Sequence, residues 1–156
     1  MRIPGALLAV ASLAIFVVPA AAYDDPKTLV QAIYDSYDAG QPPGDLTPFY
    51  SARLKQIFVD YYAERAAEAG GQSDEPFDPF VGDDNYLLFD LRIGEPMLLG
   101  ERAAVDVTFN NFDHPSLLSL ALVREPDGWK VDDVTSHGGE EPWLLSWLLK
   151  YDPLSY

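Results

Sequence analysis

The sequence predicts an α+β domain in which N-terminal helices precede an antiparallel sheet and a short helix follows at the C-terminus. Three observations predict this class. Apolar residues first recur every three or four positions, then at every second position from residue 87 to residue 134, and an acidic, proline-led segment restarts helical spacing near the end. Helices followed by a meander of strands are typical of α+β domains.

Residues 1–22 are predicted to be a secretory signal peptide. Arg2 gives a positive start, residues 6–18 are apolar, and Ala20, Ala21 and Ala22 are small residues suited to cleavage. The apolar stretch is shorter than the roughly 20 residues that a membrane span needs. We therefore expect cleavage after Ala22, export (to the periplasm), and no stable membrane insertion of the remaining single domain, residues 23–156.

Composition excludes several classes of function. The chain has 25 acidic and 10 basic residues and a formal net charge of −15, which argues against nucleic-acid binding because phosphates are recognised through Lys and Arg. The same charge disfavours anionic lipid surfaces. With no cysteine, the chain has no disulfide, thiolate nucleophile or zinc–thiolate site.

Two helical regions are expected before the strands. Asp24, Asp25 and Pro26 form a favourable helix start, and Gly40 is the expected end. One face of this helix is apolar through Leu29, Val30, Ile33, Tyr34 and Tyr37. The second region begins at Thr47-Pro48 and is either one helix of about 20 residues or a turn plus a helix, with Ser51 as a cap.

After a proline-rich acidic loop at residues 72–85, alternation predicts an antiparallel meander. The residues expected on the buried side of the first two strands are Leu87, Phe89, Leu91, Ile93, Ala103, Val105, Val107 and Phe109. Residues 116–125 are apolar on both faces, which is typical of a central strand. Pro126-Asp127-Gly128 predicts a turn, and residues 129–134 form the last strand.

The C-terminal segment carries the predicted binding site. Glu140, Glu141 and Pro142 are expected to start a helix. The proposed contact residues on this helix are Trp143, Leu144, Trp147 and Leu148, with Tyr151 on the same face. Because a short surface helix is rarely apolar nearly all round, an exposed tryptophan–leucine face would bind a partner or support self-association.

Several stretches together resemble a known family. They are the Leu29-Val30 helix, Phe49-Tyr50-Ser51, residues 77–80, residues 104–110, and the run from Gly128 to Val134. Over nearly all of residues 26–150 the chain resembles the DUF3828 family of exported bacterial proteins, within the NTF2-like (cystatin-like) fold group. The resemblance implies a strongly curved antiparallel sheet with a cone-shaped hollow, and a homodimer paired through the sheets. The family pattern often has Gln-Asp where this chain has Asp83-Asp84.

Two kinds of site are weighed inside that fold. NTF2-like enzymes place carboxylates in the hollow, where burial raises the carboxylate pKa, so the alternative function is a small lyase or isomerase that uses Asp132 or Asp133 with Tyr34. In the acidic loop, Asp78, Asp83 and Asp84 offer oxygen ligands but lack the spacing of a calcium loop. Turn formation and capping explain these acids better, and we predict neither a metal nor a cofactor.

The leading hypothesis is an exported, non-enzymatic binding module for a partner protein or a small ligand. Its acidity suits a basic target, since complementary fields speed encounter. No Gly-x-Ser-x-Gly motif is present to suggest a serine hydrolase.

Overall fold

The computed structural model describes residues 22–38, 44–68, 78–83, 85–138 and 142–151. The helical elements are α1 (Pro26–Asp38), a single 3-10 turn (Thr47–Phe49), α2 (Ala52–Glu68) and α3 (Leu145–Tyr151). The strands are β1 (Leu88–Ile93), β2 (Met97–Leu99), β3 (Arg102–Asn111), β4 (His114–Glu125), β5 (Gly128–Ser136) and β6 (Trp143–Leu144). The predicted signal peptide, except Ala22, lies outside the described residues, as do Gly40, residues 72–77 of the acidic loop, and Glu140 and Glu141.

The strands form one antiparallel sheet in the order β1-β3-β4-β5-β6, with β2 also paired to β3. Because β4 pairs along the whole of β3, β1 and β2 share the opposite side of β3 and follow each other along one edge. The α+β class, with helices packed on a curved antiparallel sheet, is confirmed. Within the described part of the chain, no helix is both long and apolar enough to cross a membrane.

A single core joins the helices to the sheet. The side chains of β3 predicted to be buried are buried, and α1 lies against β1, β3 and β5 while α2 and α3 pack on each other and on β5. The fully buried side chains of this core include Leu29, Val30, Ile33, Leu54, Phe80, Val105, Val107, Leu120, Val131 and Val134. Burial of this apolar surface is the main driving force for the arrangement.

The predicted starts of the first two helical regions are confirmed. Asp25 Oδ1 accepts a hydrogen bond from the backbone N–H of Thr28 at 3.0 Å. Of the two alternatives for the second region, the turn plus helix is correct. Ser51 caps α2, because its Oγ accepts a hydrogen bond from the backbone N–H of Leu54 at 3.0 Å.

The predicted buried face of β1 is wrong. Leu87, Phe89 and Leu91 are exposed by 49%, 48% and 37%, respectively. The register shifts between Phe89 and Arg92, and Asp90 lies in the left-handed region at φ 53°. This bulge breaks the alternation on which the prediction depended.

Strand β2 was not predicted and forms the most exposed apolar part of the described sheet edge. Met97, Leu98 and Leu99 are exposed by 64%, 65% and 81%. Strand β4 is central as predicted, but only one of its faces is buried. Leu117 and Ala121 lie on the other face of β4 and are exposed.

Candidate functional site at the β5 bulge and the terminal helix

A bulge in β5 brings two carboxylates to one place. Ala121 pairs with Asp133 and Leu122 pairs with Val131, so Asp132 is the additional residue on the β5 side. Strict alternation would direct Asp132 and Asp133 to opposite faces of the sheet. A bulge interrupts that alternation, and both carboxylates contact the side chain of Arg53.

Arg53 links the bulge to α2. Its Nε donates to both carboxylate oxygens of Asp132, at 3.0 and 3.1 Å, and one terminal nitrogen donates to the Asp132 carbonyl at 2.7 Å and to Asp133 Oδ2 at 3.3 Å. Partial burial opposes the charge of Arg53, but its hydrogen bonds and proximity to Asp132 and Asp133 leave its pKa above the ordinary value. The planar guanidinium suits this multiple contact.

Asp132 also fixes the beginning of α2. The Ser51 hydroxyl donates to Asp132 Oδ1 at 2.7 Å, and the Ser51 backbone N–H donates to the Val131 carbonyl at 2.8 Å. Tyr50 forms a parallel bridge with Val131, so the chain before α2 runs beside β5. The contacts of Asp132 therefore hold the beginning of α2 on the sheet.

Asp133 fixes the beginning of α3 in the same way. The carboxylate accepts hydrogen bonds from the backbone N–H of Ser146 at 3.0 Å and from its hydroxyl at 2.5 Å. It also accepts one from the backbone N–H of Val134 at 3.0 Å. An anion at this position satisfies a free N–H group of the first helical turn, although α3 has no acidic residue of its own in that turn.

The structure does not assemble the predicted acid–base pair. Tyr34 is buried and donates its hydroxyl proton to the Phe80 carbonyl at 2.9 Å, while Asp132 and Asp133 bind Ser51, Arg53 and Ser146. Burial, with the nearby charge of Asp78, raises the Tyr34 pKa well above its ordinary value. The partners of the two carboxylates are therefore two serines and an arginine, from the residue before α2, from α2 and from α3, and not the predicted tyrosine.

A different tyrosine, on α1, forms a hydrogen bond with a different carboxylate. The Tyr37 hydroxyl lies 2.9 Å and 2.7 Å from the two oxygens of Asp78. Beside this pair, Phe80 is fully buried, the Tyr50 ring stacks on Phe80 at a centroid distance of 5.9 Å, and Tyr34 packs on Phe109 at 6.1 Å. Aromatic rings therefore pack against one another next to the Asp78 carboxylate.

Asp78 and Asp83, which were considered as metal ligands, form hydrogen bonds within their own turns. Asp78 Oδ1 accepts the backbone N–H of Phe80 at 2.9 Å, which confirms that Asp78 fixes a turn, and Asp83 Oδ1 accepts the backbone N–H of Asn85 at 3.1 Å. Asp84 lies outside the described residues. Within the described ranges, no three His, Cys, Asp or Glu side chains are grouped so that they could hold a metal ion.

The predicted contact residues are divided between a strand and a helix. Trp143 and Leu144 form β6, which pairs with Thr135 and Ser136, so the prediction of one helix through residue 143 is wrong. Trp143 is partly buried against the core. Pairing with β5 fixes residues 143 and 144 in extended form, and the helix begins only where Asp133 supplies its cap.

The remaining large side chains form an exposed aromatic surface. Trp147 is 50% exposed, Tyr151 is 65% exposed and Leu144 is 39% exposed, whereas Leu148 is half-buried. The rings of Trp147 and Tyr151 lie one helical turn apart with centroids separated by 5.4 Å. We call Leu144, Trp147 and Tyr151 the terminal aromatic face.

Sequence reasoning missed two contacts between elements near the candidate site. Nothing in the sequence singled out Arg53, because its two partners are brought together only by the bulge in β5. The contact between Tyr37 and Asp78 was also missed, since these residues are far apart in sequence. The proline after Asp78 was the one local signal that this aspartate occupies a turn.

Comparison with known proteins gives one distant likeness. No protein-family model matches the chain, and no curated protein matches it. The chain is similar to one chain of a crystal structure of the type VI native effector–immunity complex Tae3–Tai3 from Ralstonia pickettii, with a TM-score of 0.45 and 18% sequence identity. The likeness covers 76% of this chain and 99% of the other. At this level it carries no argument about function.

Proposed function

We propose that this chain is an exported, non-enzymatic module that binds a partner protein through the terminal aromatic face. The exposure of Trp147 and Tyr151 as a contacting pair is the observation that carries the proposal. Trp and Tyr are the residues that most often dominate binding energy at protein interfaces. The neighbouring Leu144 adds exposed apolar surface to the same short segment.

The fixed position of α3, which carries Trp147 and Tyr151, supports a binding role for this face. Leu145 and Leu149 anchor α3 in the core, and the Asp133 carboxylate holds its first turn. Side chains on a helix that is already fixed lose less conformational freedom when a partner binds. The aromatic pair is therefore organised before any encounter.

We further propose a basic partner. The net charge of −15 produces a negative field around the molecule, which raises the rate of encounter with a positive protein. The proposed compartment is the periplasm, on the strength of the N-terminal signal-peptide pattern. Membership of the DUF3828 family and of the NTF2-like group belongs to the same proposal, as does a homodimer paired through the sheets.

The enzyme alternative gains no support from the contacts of its residues. Asp132 and Asp133 each bind side chains of other elements, and Tyr34 bonds to a backbone carbonyl. A general base must reach the proton that it removes, and these carboxylates are engaged in holding α2 and α3. A small ligand likewise gains no support from the described contacts, since the aromatic rings beside α1 pack against one another.

The test compares capture of partners by three forms of residues 23–156: wild type, Trp147→Ala, and Val59→Ala. Val59 is 59% exposed on α2 and serves as the matched control for loss of an exposed apolar side chain. We expect wild type and Val59→Ala to enrich the same basic protein from a periplasmic extract. Trp147→Ala is expected to weaken the purified pair at least about 30-fold, as for an interface residue worth 2 kcal/mol.

A pair whose affinity is unchanged by Trp147→Ala would contradict the proposed surface. Salt screens exposed charges, so the affinity should decrease when the salt concentration is raised from low to physiological. An affinity that stays the same would contradict the proposed charge complementarity.

A further inference from the structure

Four neighbouring strands each place one residue in a row that ends at the terminal aromatic face. Asp106 of β3 pairs with Ser119 of β4, and Ser119 pairs with Thr135 of β5. Thr135 in turn pairs with Leu144 of β6. Directly paired residues of antiparallel strands direct their side chains to the same face of a sheet. These four residues therefore form one row across the sheet, which we call the transverse row, and Leu144 belongs both to this row and to the terminal aromatic face.

The transverse row is accessible to a partner. Asp106 and Leu144 are exposed, and Ser119 and Thr135 are half-buried. Three strand spacings of about 4.8 Å each place Asp106 about 14 Å from Leu144. An interface of ordinary size covers about 800 Å² on each protein, which is a patch roughly 30 Å across. A protein that covers the terminal aromatic face therefore also reaches Asp106.

Hydrogen bonds orient the polar end of the row. Ser119 Oγ lies 2.5 Å from Asp106 Oδ1 and 2.9 Å from His137 Nε2. Because an ionised carboxylate can only accept, Ser119 donates its hydroxyl proton to Asp106 and accepts a hydrogen bond from the His137 Nε2–H. The His137 backbone N–H donates to the Leu117 carbonyl at 2.9 Å, which ties this residue to β4. The chain of hydrogen bonds thus runs in one direction and ends on the Asp106 carboxylate.

The Asp106 carboxylate retains the capacity to bind a cation. Within the described ranges, no N–H or O–H group donates to its Oδ2 atom, and no Lys or Arg forms an ion pair with it. An ionised carboxylate has about four acceptor positions, and Ser119 uses one of them. Arg92 is a basic neighbour on the same face, since it pairs with Thr108, two positions from Asp106. An exposed carboxylate with an open oxygen is complementary to a positively charged side chain.

We propose that Asp106 binds a Lys or Arg side chain of the partner protein while apolar surface of that partner covers the terminal aromatic face. This inference rests on the proposed function and adds the group that recognises the positive charge of the partner. The negative field of the whole molecule speeds encounter but does not orient the partner. Asp106 does orient it, because Ser119 and His137 fix the carboxylate at a set distance from Leu144.

The test uses two end-blocked peptides in NMR titrations of residues 23–156 at low salt. The first is acetyl-Arg-Gly-Ser-Gly-Phe-amide, in which four extended residues separate the charge from the ring by about 13 Å. The second has uncharged citrulline in place of arginine. We expect the arginine peptide to shift the His137 imidazole and Trp147 indole resonances with one midpoint. The citrulline peptide should bind at least about threefold more weakly, as for one exposed charge pair, and should leave His137 unshifted.

Three variants assign the effect to Asp106. Asp106→Asn keeps the shape of the side chain without its charge and should bind the two peptides equally. Asp113→Asn is the matched control, because Asp113 is an exposed aspartate at the turn between β3 and β4, and it should keep the preference for arginine. Arg92→Gln removes a like charge beside the row and should strengthen binding of the arginine peptide. A purely structural role of Asp106 would not produce opposite effects at these two positions.

Equal binding of the two peptides by the wild type would overturn the inference. A preference for arginine that survives Asp106→Asn would overturn it too, as would a His137 resonance that the arginine peptide does not shift. Trp147→Ala in the same titration reports on the proposed function. If this variant binds the arginine peptide as the wild type does, the terminal aromatic face is contradicted, whereas the contact at Asp106 is judged by the loss of arginine preference in Asp106→Asn.

Discussion

Asp133 on β5 caps the first turn of α3 by accepting both the backbone N–H and the hydroxyl proton of Ser146. A helix of seven residues is too short to be stable in isolation. Its position therefore depends on this carboxylate and on the burial of Leu145 and Leu149.

The first prediction removes the cap. Asp133→Ala should lower the free energy of unfolding by about 2–3 kcal/mol, because it leaves the buried Ser146 groups without an acceptor. Chemical denaturation measures this loss, with Asp113→Ala, at an exposed side chain, as the control. Equal stability of Asp133→Ala and Asp113→Ala would contradict the capping role.

A second prediction concerns the buried Lys130. Its side chain is only 2% exposed, and its ammonium donates to the Pro48 carbonyl at 3.0 Å and pairs with Asp127 at 3.1 Å. Lys130→Ala should be roughly 2 kcal/mol less stable than Lys130→Met, because methionine retains most of the buried aliphatic stem. Denaturant midpoints of the two variants provide the comparison, and equal midpoints would show that packing of the stem contributes nothing.

The third prediction compares two glycines that differ both in backbone conformation and in the space around them. Gly128 has φ 110°, and a Cβ atom there would lie 2.7 Å from the Tyr23 backbone nitrogen, whereas Gly100 has φ 60° and open space around it. Gly100→Ala should cost about 1–2 kcal/mol for the left-handed conformation alone. Gly128→Ala should cost more, and thermal unfolding of both variants measures the difference. If Gly128→Ala is no worse than Gly100→Ala, the Tyr23 segment does not pack against this turn in solution.

The fourth prediction is the dependence of stability on pH. Because the Asp78 pKa is raised in the folded state, the folded protein binds more protons than the unfolded chain between about pH 4 and that pKa. The stabilising contribution of Asp78 is therefore complete at low pH and is lost as pH rises through the folded pKa. The difference in unfolding free energy between Asp78→Asn and wild type should grow over this interval in favour of the variant.

Asp45 and Asp127 contribute to the pH dependence of stability in the opposite direction from Asp78. Hydrogen bonds from Thr47 and from Lys130, respectively, lower their pKa values, so their contributions are present near neutral pH and are lost as pH falls. Subtracting the wild-type curve from the Asp78→Asn curve removes both. A difference that does not change with pH would show that Asp78 titrates alike in the folded and unfolded states.

Sequence periodicity was sufficient for the first two helical regions and for β3, where the buried face follows from regular alternation. It failed at the two bulges. In β1 the bulge exposes Phe89 and Leu91, and in β5 it brings Asp132 and Asp133 to the same arginine. A bulge depends on how two strands pair, which the pattern of one strand does not contain.

The candidate site was predicted only in part for a related reason. The composition of the terminal segment indicated an aromatic surface, and Trp147 is exposed as that reading requires. The division between β6 and α3 depends on pairing with β5 and on a cap 13 positions away in the chain. The hydrogen bond between Tyr37 and Asp78 also depends on contacts between segments that are distant in the sequence.

The exposed apolar edge strand Met97–Leu99 affects how the protein behaves in concentrated solution. The other edge strand on this side of β3 carries a bulge and the charged residues Asp90 and Arg92, features that discourage pairing with foreign strands. Met97, Leu98 and Leu99 carry neither of these features, so at this part of the described edge only the shortness of the three-residue strand limits extension of the sheet by another molecule.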